Sequence, residues 1–192
     1  AQQQLLEECL SENIEKEIDA TMAAAEVQLE EWQESEEGQS SPIDEHAKKF
    51  DDFCHVHHGK VGIAVGIDGG WQKRASGHSY SSKTGHNFCV GMRTGKLCGA
   101  VWFSKHCRLC EVAANNQRDP PDHRCPRNFP MDKSAKSMEG SGAIQHCINI
   151  ARREAANVQA YVYTFVTDDD STTRANVKWS KKACAIHTGF LS

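Results

Sequence analysis

The 192-residue chain has no apolar run long enough to cross a bilayer as a helix. Its opening residues, AQQQLLEECL, lack the basic start and apolar stretch of a secretory leader. Without that leader, the odd count of nine cysteines argues against a disulfide framework and for a reducing compartment. Hydrophobic residues are few for a purely globular chain, at 39%, so part of the molecule is expected to be extended and polar. Base is nearly absent at one end: up to Glu37 there are twelve acids and a single base, Lys16. Acid is absent at the other, where neither Asp nor Glu follows Asp170. The net charge of -4 therefore conceals an acidic arm of about -11 and a body of about +7. A basic body suits a polyanionic partner, although this excess is modest.

What the acidic arm does contain is periodicity. Leu6, Leu10, Ile14, Ile18, Met22, Ala25, Leu29 and Trp32 recur in steps of three and four with no Gly or Pro between them. That spacing predicts one long amphipathic helix over 3–34, packed on the body or paired with a partner helix or a second copy. A regulatory arm competing with nucleic acid for the body is the other reading. ESEEGQSSP, 34–42, reads as a polar linker and domain boundary, followed by a short helix over 45–53. The organisation expected is an acidic helix at 1–37, a linker and short helix at 38–60, and a body at 61–192. His55, His57 and His58 lack a Cys or carboxylate at matching spacing and read as a surface or half-buried cluster.

The body reads as strands at 61–68, 86–92 and 96–104, with a turn at Thr94 and Gly95 that makes an antiparallel meander. A cysteine-rich loop at 105–136 follows, then a helix over 141–157, a strand over 160–167 and a capped helix over 171–183. This order suits a mixed α/β sheet with the first and fourth strands side by side, both ending in aspartate. Cys89, Cys98 and Cys147 fall in strand or helix patterns and read as core cysteines.

Two constellations carry chemistry. CRLCEVAANNQRDPPDHRC sets Cys107, Cys110, His123 and Cys125 at the spacing C-x2-C-x12-H-x-C. Tetrahedral zinc takes such thiolate and imidazole donors, and a loop without its own core is held shut by the metal. All four corners are protein ligands, so the role expected is structural. The second constellation is Asp68 in VGIDGGWQKR and the run Asp168, Asp169, Asp170 in VTDDDST. Carboxylates at neighbouring strand ends, about 5 Å apart, suit magnesium or manganese, whose remaining positions take water or phosphate oxygen. Trp71, Lys73 and Arg74 suit contact with a nucleic-acid backbone. Taken alone, the three aspartates are equally readable as a turn and helix cap.

IDGGWQKRASGHSYSSKTGHNFCVG, FSKHCRLC, HRCPRNF, KSMEGSGA and VTDDDSTTRAN follow one another in order over about 62–178. Together they resemble the catalytic core of Mutator-like transposases. The resemblance implies a ribonuclease-H-like fold and DDE-type, metal-dependent cleavage and transfer of DNA strands, acting on transposon ends and target DNA in the nucleus. It implies Asp68 and Asp168 as catalytic acids, with Asp170 auxiliary and Asp169 the most replaceable, and makes the cysteine and histidine cluster an insertion between them over 105–127. The family's third acid, a Glu on a later helix, has no counterpart after Asp170. The expectation is therefore a C-terminally truncated core, inactive if it stands alone. A zinc-stabilised nucleic-acid or protein-binding module, or a nuclease of the same fold, are the alternatives.

Overall fold

A computed structural model of the chain describes residues 2–71, 82–155 and 158–167. In order, the elements are helices α1 (Gln2–Glu34), α2 (Glu36–Ser40) and α3 (Ile43–Phe53), then strands β1 (Lys60–Trp71), β2 (Thr84–Gly91) and β3 (Leu97–Ser104). Helices α4 (Arg108–Asn115) and α5 (Lys136–Ala151) follow, then strands β4 (Glu154–Ala155) and β5 (Val158–Val166). The fold is mixed α/β. Four long strands and the two-residue β4 form one sheet in the order β3-β2-β1-β5-β4. The expected helix over 171–183 lies outside the described residues, as do Lys73, Arg74 and Asp168 to Asp170.

The side-by-side placement of the first and last long strands is as the sequence suggested. β1 and β5 pair in parallel, from Lys60 with Gln159 to Gly66 with Val166, across an irregularity at Ile63 and Ala64. A parallel pair needs a long crossover, and the α4–α5 region supplies it. β2 and β3 are joined by only five residues, a length that forces antiparallel pairing; Gly95 turns the chain at a positive φ of 67°.

Two compact units divide the described residues, and β1, β2, β3 and α5 each run from one into the other. One unit takes in residues 2–67, 89–99 and the described residues from 146 onward; the other takes in 68–71, 82–88 and 100–145. In the first, Val61, Ile63, Val65 and Ile67 alternate into the core with smaller or more open residues between them. α1 buries Leu10, Ile14, Ile18 and Ala25 there. Each fully buried branched side chain stabilises this docking by about 1.5–3 kcal/mol. The same stripe buries two polar residues, Glu17 and Thr21, that are not among the apolar positions read from the sequence. Glu17 takes the place a side chain at Gly91 would fill: a Cβ there would collide with its Oε2.

Four boundaries differ from the sequence reading. β1 does not stop at Asp68 but continues to Trp71, because Gly69 and Gly70 still pack beside Asn87 and His86 of β2. The linker at 34–42 contains a helical turn, α2, whose N-cap Ser35 accepts a hydrogen bond from the Gly38 N–H at 3.2 Å. The loop at 105–136 holds α4, built on the helix-favouring run LCEVAAN and anchored by the buried Ala113. α5 covers 136–151, not 141–157. Its start is fixed by Ser134, whose Oγ and carbonyl meet the N–H and hydroxyl of Ser137. Gly142 within it is needed because a Cβ there would press on Asn87 at 2.6 Å.

Candidate metal centre

Among the described residues one set of histidine, cysteine and acidic ligands converges. The ligand atoms of Cys107, Cys110, His123 and Cys125 all lie within 4.8 Å of one another. Cys107 Sγ is 3.2 Å and Cys110 Sγ 3.4 Å from His123 Nε2, and the sulfurs of Cys110 and Cys125 are 3.7 Å apart. Zinc bond lengths of about 2.3 Å to sulfur and 2.0 Å to nitrogen put tetrahedral corners about 3.8 and 3.5 Å apart. The observed separations fit that tetrahedron. These residues can bind a metal such as zinc.

The local fold explains how the four meet. Cys107 is the N-cap of α4 and Cys110 lies in its first turn, so one helical turn brings both thiols to the same end. His123 and Cys125 return on the extended segment that follows. His123 Nδ1 lies 2.7 Å from the Pro121 carbonyl, which accepts its proton and leaves Nε2 to face the sulfurs. A backbone carbonyl behind a ligating imidazole fixes tautomer and ring orientation in metal sites.

The electrostatics are those of a site prepared to exchange protons for a cation. The Cys110 backbone N–H draws the Cys107 thiol down to about 6, helped by His123. Cys110 is pushed the other way, to about 11, by desolvation and then by its neighbouring thiols. His123 is raised to about 9, first by its bond to Pro121 and then by the thiols.

Around the cluster stands a brace that the sequence did not reveal. Glu111 Oε1 accepts from Lys83 Nζ at 2.8 Å and meets His106 Nδ1 at 3.0 Å. Lys83 and then His106 hold the Glu111 carboxyl below its ordinary value. Only its position one residue past Cys110 hinted at this role. A second tie follows Cys125. Asn128 Nδ2 donates to the Trp102 carbonyl at 2.7 Å, and Asn128 Oδ1 accepts from the Ser104 N–H at 2.6 Å. The metal loop is thereby fastened to β3, an outer strand of the sheet.

The remaining candidates separate clearly. Asp68 is exposed on β1, with Trp71 half-buried three residues on. His55, His57 and His58 gather no metal ligand set: His55 stacks on Tyr163 at 3.5 Å, and the rings of His57 and His58 lie 4.4 Å apart. Burial lowers the His55 pKa. Cys89 and Cys98 are buried and burial raises both thiols, Cys98 to about 11, as suits inert core cysteines; Cys147 is half-buried. No described helix is long and apolar enough to cross a membrane.

Residues 5–189 match the family model described as Mutator-like transposase. Comparison with curated proteins and with solved structures found no match.

Proposed function

The chain belongs to the Mutator-like transposase family, and on that premise we propose that it contributes the first two acids of a ribonuclease-H-like, DDE-type core that cuts and joins DNA strands. The observation that carries this reading is the parallel pairing of β1 with β5, whose last matched residues are Gly66 and Val166. Two residues beyond each, the sequence has Asp68 and Asp168. Neighbouring strands run about 4.8 Å apart, close enough for two carboxylates to share one cation.

In this reading Asp68 and Asp168 hold magnesium or manganese, and Asp170 assists. The cation supplies activation of a nucleophilic oxygen and charge relief for the leaving oxygen of an in-line displacement. Asp68 suits the role through its exposure. Trp71, Lys73 and Arg74 sit just downstream, where backbone contacts would hold the strand. Zinc at Cys107, Cys110, His123 and Cys125 has a structural task, since four protein ligands leave it no open position. The substrates are transposon ends and target DNA, and the site of action is the nucleus.

The test uses manganese binding to the 192-residue protein, followed by its paramagnetic broadening of NMR signals. Broadening centred on Asp68 and Asp168, lost in Asp68→Asn with the zinc content unchanged, supports the assignment. Undiminished broadening in Asp68→Asn defeats it.

A further inference from the structure

Within the unit formed by 68–71, 82–88 and 100–145 lies an open groove of about 370 Å³. Trp71, Thr84, His86, Trp102, Phe103 and Asn128 line it. Aromatic residues are only 7% of this chain, yet two of its four tryptophans meet here. Trp102 is 54% exposed, a costly display of a large apolar surface for a side chain with no packing task. Phe103 is held from behind by Phe129, edge to face at 5.2 Å.

Two polar side chains of the walls, Asn128 and Ser104, are already committed. The Asn128 amide is spent on the β3 backbone at Trp102 and Ser104. The Ser104 hydroxyl donates to the His106 carbonyl and accepts from the His106 N–H. What the groove offers a ligand is ring faces more than hydrogen-bonding edges. Its volume is at the low end of small-ligand sites, about 300–1,000 Å³, so it admits one or two flat rings and excludes a duplex. Pro126 and Asn128 of the wall are flanked in sequence by Arg124 and Arg127, of which Arg124 is exposed, with Asp122 and Asp132 just outside that stretch. Flat rings joined to negative charge describe a nucleotide.

We propose that this groove takes an unpaired nucleobase of a DNA strand end, held by stacking with Trp102 as the principal platform. The proposal rests on the DNA-acting reading above and adds to it a single-strand subsite outside the carboxylates and the zinc cluster. Because ring faces dominate, recognition is tolerant of base identity. The subsite depends on the metal loop, since Pro126 and Asn128 of its walls follow directly after Cys125.

The experiment compares the 192-residue protein on two fluorescent DNA duplexes, one blunt and one carrying a short unpaired 3′ thymidine overhang, by anisotropy. The overhang should bind about tenfold more tightly, the size expected of one stacked base. Trp102→Ala should abolish that preference and leave blunt-duplex affinity and zinc content as in the parent, and Trp102→Phe should restore most of it. Equal binding of the two duplexes by the parent protein overturns the groove while leaving the DNA reading intact. So does a Trp102→Ala variant that weakens both duplexes alike. Failure of the parent to bind either duplex overturns both.

Discussion

Glu17 of α1 grips Thr94 of the β2–β3 turn twice: its Oε2 accepts from the Thr94 N–H at 2.9 Å and from the hydroxyl at 2.7 Å. Its other oxygen accepts from the Arg93 N–H at 2.9 Å. The side chain is fully buried, so the acidic helix is no loose arm. One buried carboxyl group thereby pairs with two turn amides and a hydroxyl, and those bonds offset the cost of burying it.

Removing this grip should be expensive. Glu17→Ala leaves the Arg93 and Thr94 amides unpaired and should lower unfolding stability by about 3 kcal/mol. Glu17→Gln keeps the shape and one acceptor and should cost about 1–2 kcal/mol. Replacement of the exposed Glu31 by Ala should stay within about 0.5 kcal/mol. Urea unfolding of the three variants checks the ranking; equal midpoints for Glu17→Ala and the Glu31 control would disprove it.

The cluster should carry about one zinc per chain, and its loading should depend on pH in a set direction. Near pH 7, Cys107 at about 6 is already a thiolate, whereas His123 at about 9 and Cys110 at about 11 retain protons. Binding must expel at least those two protons, so affinity rises with pH between 6 and 9 and falls as the solution is acidified. The expected slope is up to about a hundredfold per pH unit. Cys110→Ser should lose the metal at pH values where the parent holds it. Metal analysis with competition by a chelator reads both; a pH-independent affinity would contradict the assignment.

Asn128 should act as a clasp on an outer strand. Asn128→Ala removes an acceptor from the Ser104 N–H and a donor to the Trp102 carbonyl, costing about 1–2 kcal/mol. Hydrogen exchange at the Ser104 amide should accelerate, while that of Ile63, buried on central β1, stays close to the parent until global unfolding. Unchanged exchange at Ser104 would rule out the clasp.

How much of the fold and the site is legible in the sequence varies with how local the signal is. The metal ligands follow from spacing, because a C-x2-C turn places its thiols by short-range geometry and histidine comes two residues before the last cysteine. The long N-terminal helix and the adjacency of the first and last long strands are legible too, from period and element order. Glu17 reads as solvent-facing although its position, three after Ile14 and four before Thr21, lies on the buried face; its charge hides that. α4 is obscured by the metal motif it carries, and the early start of α5 by an apolar face that reads only from Ile144 onward.

The sequence by itself determined the charge division between arm and body, the long helix, the cysteine and histidine ligand set and the family blocks. These depend on residues near one another in the chain, or on identities that need no partner to be recognised. Only the tertiary structure decided that Glu17 is a buried clasp, that β1 runs past Asp68 to Trp71, and that Trp71 and Trp102 share a groove. Each of those rests on residues far apart in sequence brought together by strand pairing and helix docking, and periodicity along one segment carries no record of the partner it will meet.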